Sequence, residues 1–186
     1  MSYEKTVWAG EGTLAREQEY NDHWCYERGI ITKAWLDVYA ATGDRRFYDA
    51  AKANVDQYVT ADGEILTYEP DKYNLDMICM GRTALRLFKA TGEAKYEKAC
   101  RRLIEQIKGQ PTTAEGGFWH KKLYPQQMWL DGIYMACPFL TEFAVTFGEM
   151  QWADLAAKQM ELIFEKTRLE SGLHAHAWDS AKAQKW

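Results

Sequence analysis

The sequence predicts an all-α fold of stacked helical hairpins, on three observations. A signature recurs: Tyr39-Ala40-Ala41-Thr42-Gly43-Asp44 and Phe88-Lys89-Ala90-Thr91-Gly92-Glu93 match in type, and a looser copy runs Phe143-Ala144-Val145-Thr146-Phe147-Gly148-Glu149. Each copy is followed shortly by an aromatic residue, Phe47, Tyr96 or Trp152, and preceded by an apolar stretch. Apolar residues after each copy recur three and four apart, the spacing of one helix face. Repetition of this kind marks a chain in which one unit buries its apolar face against its own copies.

Taken in order, residues 1–23 form an atypical leader outside the repeat, within an expected single domain of residues 1–186. In each unit the signature reads as a first helix ended by a left-handed glycine, a tight turn, and a second helix with an acidic residue near its positive end. The second helices carry Phe47, Ala51, Val55 and Tyr58, or Tyr96, Cys100, Leu103 and Ile107, on one face. The first helices, as in Met77, Ile78, Ala84, Leu85, Leu87 and Phe88, are apolar nearly all round and are expected to be covered on both sides. Pro138 removes a backbone donor inside the third of them. Long connections follow each hairpin, at 60–73, 108–127 and 168–186. Loops of that length on a rigid scaffold commonly carry function.

Composition narrows the partners. The net charge of −4 and the absence of long Lys/Arg runs give no footprint for nucleic acid or an anionic membrane. No apolar stretch is long enough to span a bilayer, and Met1–Gly12 lacks the basic and apolar regions of a secretory signal, so a cytoplasmic protein is expected. Cys25, Cys79, Cys100 and Cys137 are scattered in apolar helical contexts and read as reduced, buried thiols.

Twelve residues before the opening aromatic of each signature stands a carboxylate: Glu27, Asp76 and Asp131. Asp131, in Trp129-Leu130-Asp131-Gly132, has aromatic neighbours that would desolvate it, surroundings suited to a general acid. An N-terminal helix cap is the competing reading, since Asp commonly serves as one. Asp76 is its counterpart one repeat earlier, at a helix spacing of about 8–10 Å, and divides between a second active-site carboxylate and a structural hydrogen bond. Glu27 reads as a partner of Arg28 or of a loop. His120 closes Gly116-Gly117-Phe118-Trp119-His120, and His176 lies in His174-Ala175-His176-Ala177-Trp178-Asp179. Nothing supplies a third ligand to those histidines, so no metal and no cofactor is expected. Trp129 and Trp178 are either core pieces or stacking platforms.

Together, Tyr26-Glu27-Arg28-Gly29, Asn74-Leu75-Asp76, Gly116–His120, Trp129–Met135 and His176–Asp179 resemble glycoside hydrolase family 105, the unsaturated rhamnogalacturonyl hydrolases. The resemblance runs from about Trp24 onward. It implies a helical-hairpin toroid of the (α/α)6 type, of which this chain supplies about three hairpins. It implies Asp131 as general acid/base and Asp76 as the second carboxylate, with Tyr26, His120, Trp129 and His176 lining the uronate subsite. The implied reaction protonates the C4=C5 double bond of a terminal 4,5-unsaturated galacturonate on a rhamnogalacturonan oligosaccharide. Water then adds at C5 and the product rearranges to release the neighbouring rhamnose. Alternatives are the related glucuronyl hydrolase activity on glycosaminoglycan fragments, and an inactive sugar-binding or assembly fragment. Because three hairpins fall short of six, a homodimer or a complementary fragment is expected to close the toroid.

Overall fold

The computed structural model describes residues 3–16 and 22–185. Met1, Ser2 and residues 17–21 of the leader lie outside the described residues, as does Trp186. Among the described residues there are seven α-helices: α1 (Tyr3–Leu14), α2 (Tyr26–Thr42), α3 (Arg45–Asp56), α4 (Gly81–Thr91), α5 (Ala94–Gly109), α6 (Leu130–Phe147) and α7 (Gln151–Thr167). None is long and apolar enough to cross a membrane. A 3-10 turn, Leu75–Ile78, precedes α4, and two short strands, β1 (Gln127–Trp129) and β2 (Ala177–Asp179), pair antiparallel.

The repeated signature does what its residues dictate. Gly43, Gly92 and Gly148 sit at φ 73°, 71° and 72°, and their N–H groups close α2, α4 and α6 onto the carbonyls of Tyr39, Phe88 and Ala144. A side chain is strained in that left-handed geometry, which is why glycine marks all three ends. Asp44 caps α3 by accepting from the Arg46 N–H at 3.1 Å.

A second repetition, in the loops, accompanies the first. The outer helices α3, α5 and α7 each lead into a small turn closed by a backbone bridge: Val59 with Ile65, Thr112 with Phe118, and Arg168 with His174. Gly63, Gly116 and Gly172 hold the left-handed position of these turns, at φ 77°, 91° and 83°. Their N–H groups donate to Thr60, Thr113 and Leu169 at 2.9, 2.9 and 3.0 Å. Four residues beyond each glycine come Thr67, His120 and His176, so the two histidines occupy one repeat position.

The chain divides into two compact units, residues 1–68 with 79–102, and residues 69–78 with 103–186. In the first, the leader is a helix: α1 packs on α2 and α3, Thr13 Oγ1 accepts from the Trp35 indole at 2.8 Å, and Gly10 lies over the Phe47 ring. The sequence did not mark it because α1 carries no copy of the repeated signature and its apolar residues are not spaced to form one stripe. The paired hydroxyls of Thr32 and Thr83, 2.9 Å apart, join α2 to α4 in the dry interior. In the second unit, α6 packs on α7 and on the 3-10 turn, around Phe139, Phe143, Leu103, Met128 and Ile163. Gln159 of α7 is fully buried; it accepts from the Phe118 N–H at 2.8 Å and donates to the Gly116 carbonyl at 2.9 Å, pinning the turn that leads to His120.

Two expectations are corrected. The first helices are not all covered on both sides: α4 is, apart from its arginines and its C-terminal turn, but α2 exposes Ile30 and α6 exposes Tyr134 and Val145. Asp76 lies not in a first helix but in the 3-10 turn ahead of it, because the Asn74 side chain accepts from the Asp76 N–H at 3.0 Å and starts a tight turn there.

Candidate active site

Five of the six residues named from the motifs fall in the second unit, and four elements position them. Asp76 comes from the 3-10 turn, His120 from the repeated loop after α5, Trp129 and Asp131 from the junction of β1 and α6, and His176 from the residue before β2. Tyr26 opens α2 in the first unit and is half-buried there.

The backbone locks these pieces together. Leu75 N–H donates to the His120 carbonyl at 3.0 Å, His120 N–H to Gln127 at 2.8 Å, and Leu130 N–H to the His176 carbonyl at 2.9 Å. The strand register sets Trp129 opposite Ala177 and Met128 opposite Trp178. Since side chains alternate across a strand, Trp178 faces away from Trp129. The two tryptophans therefore serve different faces of the ribbon.

Trp129 is the centre of a ring cluster. His120 and Tyr124 lie nearly parallel to it, at 4.5 and 5.0 Å, and His176 is tilted against it at 5.4 Å. Its indole N–H donates to Gln127 Oε1 at 3.0 Å. Protein rings thus engage the indole, which orients the histidines rather than standing as a free platform.

The two carboxylates have opposite environments. Asp76 is buried, with Oδ2 2.6 Å from Lys121 Nζ and Oδ1 3.3 Å from His120 Nε2. Its charge is compensated on the spot. Asp131 stands in the first turn of α6 but does not cap it: Trp129 is the cap residue and makes no side-chain cap bond. Asp131 Oδ1 is closed to solvent without a hydrogen-bond partner, 3.5 Å from His176 Nε2. An acceptor left without a hydrogen bond in such a place is available to a ligand. Asp131 therefore does not serve as the N-terminal cap of α6.

His120 separates the two. It is 1% exposed at the side chain, its Nδ1 has no partner, and that atom lies 3.0 Å from where a side chain on Gly132 would begin. Glycine at 132 is thus the space that lets His120 reach between the turn and α6. Burial, and then the Lys121 ammonium, outweigh the pull of Asp131 and lower the His120 pKa to about 4. The folded imidazole stays neutral where an unfolded one, near 6.5, takes a proton. Below pH 6.5 the unfolded chain therefore binds the extra proton, and stability falls as pH drops through the window from about 6.5 to about 4. The full contribution of this one group is on the order of 3 kcal/mol. Melting curves across that window are expected to fall less steeply for His120→Gln than for the unsubstituted chain; parallel curves would contradict the assignment.

Lys121 and Tyr124 were not singled out from the sequence. Both lie in the run that begins at His120, and a lysine next to a loop histidine one repeat after a carboxylate was the available signal.

The model of Glycosyl Hydrolase Family 88 matches residues 5–186. A family 105 glycoside hydrolase from C. acetobutylicum is similar over 100% of this chain and 51% of its own, with 34% identity and a TM-score of 0.91. A possible family 105 member from Klebsiella pneumoniae matches 84% of this chain and 41% of its own, with 22% identity and a TM-score of 0.73. A family 88 glycosyl hydrolase from Bacteroides vulgatus matches 95% and 51%, with 15% identity and a TM-score of 0.65. The last two bear on the fold alone. The chain spans about half the length of these proteins.

Proposed function

We propose a function from the premise that this chain belongs to glycosyl hydrolase family 88: it removes a terminal 4,5-unsaturated galacturonate from rhamnogalacturonan-derived oligosaccharides. The observation that carries this reading is the closed, partnerless Oδ1 of Asp131 facing His176. In this reading Asp131 gives its proton to C4 of the enol ether, and the positive charge that develops at C5 is shared with the ring oxygen. Asp131, now a carboxylate, takes a proton from the water that adds at C5. The hemiketal formed there opens, and the glycosidic oxygen leaves with the neighbouring sugar. One carboxyl group performs both proton transfers.

The other residues act around that step. Asp76, neutralised by Lys121, is a fixed polar wall instead of a second proton donor. Neutral His120 holds Trp129 by its ring face, and His176 stands within reach of the proton-carrying oxygen. A histidine beside the reacting centre can hydrogen-bond the incoming water and orient it.

The partner reading rests on a separate feature. A groove of about 610 Å³ between α6 and α7 is lined by Ile133, Tyr134, Pro138, Met160 and Phe164, with Phe164 51% exposed. An apolar groove on helices of a hairpin repeat suits a further hairpin, from a second copy or a complementary fragment.

The direct test follows the ultraviolet absorbance of the conjugated uronate while an unsaturated galacturonyl-rhamnose disaccharide is turned over, with an unsaturated chondroitin disaccharide in parallel. Loss of absorbance with release of rhamnose is expected. Faster loss with the chondroitin disaccharide would move the assignment to the glucuronyl activity, and no loss with either would defeat it.

A further inference from the structure

The ribbon that carries Trp129 on one face presents Trp178 on the other, where a crevice of about 380 Å³ is lined by Lys166, Arg168, Trp178, Asp179, Lys182 and Lys185, among others. Four cations and one carboxylate line this space, in a chain whose net charge is −4. The carboxylate makes no ion pair with them among the described residues. Asp179 is buried, and its two oxygens accept from the Ala181 and Gln184 N–H groups at 2.8 Å each. Arg168, Lys182 and Lys185 make no ion pair with a carboxylate among the described residues, and only Lys166 has one, to Glu165 at 2.9 Å. Trp178 is half-buried, with Lys166 Nζ 5.6 Å over its ring.

Cations alone would make an unspecific anion patch. A half-exposed indole beside them adds a flat apolar face, and that combination matches one ligand class: a sugar ring stacks by its C–H face while its acidic group meets a cation. We propose that the Trp178 crevice is a second carbohydrate site, which holds an acidic sugar unit of the polymer apart from the Asp131 centre. Trp178 supplies the stacking face and Arg168, Lys182 and Lys185 the charge. Such a site raises the local concentration of chain ends at the reactive centre without taking part in the chemistry. The choice of a sugar as ligand rests on the glycoside hydrolase reading; the charge and the stacking face do not.

The test measures binding to the full chain by calorimetry, on an Asp131→Asn background with the unsaturated disaccharide at saturation to occupy the reactive centre. Probes are a saturated oligogalacturonate, a sulfated oligosaccharide, a neutral galacto-oligosaccharide of equal length, and inorganic sulfate. An acidic oligosaccharide is expected to bind at least about tenfold more tightly than the neutral one and to weaken with added salt. The tighter of the two acidic probes identifies the charged group. Arg168→Glu with Lys182→Glu should abolish this binding, and Trp178→Ala should weaken it. Because Trp178→Ala also loosens the ribbon, the charge-reversed pair is the decisive variant, and turnover of the small disaccharide should survive it. Equal binding of the neutral probe, displacement by inorganic sulfate at the concentration of sugar acid, or unchanged affinity in the charge-reversed pair would overturn the proposal. Failure of the disaccharide to turn over in the unsubstituted chain would defeat the catalytic reading and leave this binding measurement standing.

Discussion

Replacing Asp131 with Asn is expected to lower kcat for the unsaturated disaccharide by about a thousandfold, the middle of the range for a positioned proton donor, while KM moves by no more than about twofold. That loss corresponds to roughly 4 kcal/mol of transition-state stabilisation. The amide is nearly isosteric with the acid, and Oδ1 has no hydrogen bond to lose, so the melting temperature should hold. A catalytic deficit without a stability deficit is the diagnostic pattern. Asp76→Asn should behave differently, because it strips Lys121 and His120 of their shared partner. There both activity and melting temperature are expected to fall. Steady-state kinetics with thermal melts on both variants separates the two roles, and equal activity of Asp131→Asn and the unsubstituted chain would remove Asp131 from the mechanism.

Gly29→Ala carries the second large effect, on stability. A Cβ at this position of α2 would stand 2.8 Å from the Met80 backbone nitrogen, 3.0 Å from the Cys79 carbonyl carbon and 2.9 Å from Cys79 Sγ. Two of those three atoms are main chain, so no rotamer change relieves the clash. Overpacking of this kind costs about 1–3 kcal/mol or more, against a gain of roughly 1 kcal/mol from replacing glycine in a helix. A net loss near 2 kcal/mol lowers the melting temperature by about 4–8 °C in a chain of this size. Gly12→Ala in α1, with nothing within 4 Å of its added carbon, is the control and should leave stability unchanged or raise it. Two glycine-to-alanine changes with opposite signs are hard to obtain except from packing.

Gly29 also shows how much of the molecule could be read in advance. The Tyr26–Gly29 motif drew attention as a possible sugar contact, yet its glycine is explained by the approach of α2 to Met80. The left-handed glycines 43, 92 and 148 were legible because a helix end is a local event with a local signal. The β1–β2 ribbon was not, since three-residue strands far apart in the chain have no periodicity to betray them. The same gap hid the opposite facing of Trp129 and Trp178. Asp131 was readable as a candidate, but only Trp129 in the cap position and the unbonded Oδ1 removed the cap reading. Lys121 and Tyr124 escaped because their importance lies in what they touch, Asp76 and Trp129, and not in their own spacing.

The turns after α3, α5 and α7 share one main-chain closure, a backbone bridge and a glycine N–H bond, that does not use the side chain four places past the glycine. The residue four places past each glycine is therefore free to vary without disturbing the turn that presents it. Thr67, His120 and His176 are three different side chains at one repeat position. A repeated scaffold of this sort can display different chemistry by changing a single side chain at a preset position, with the backbone that presents it left as it is.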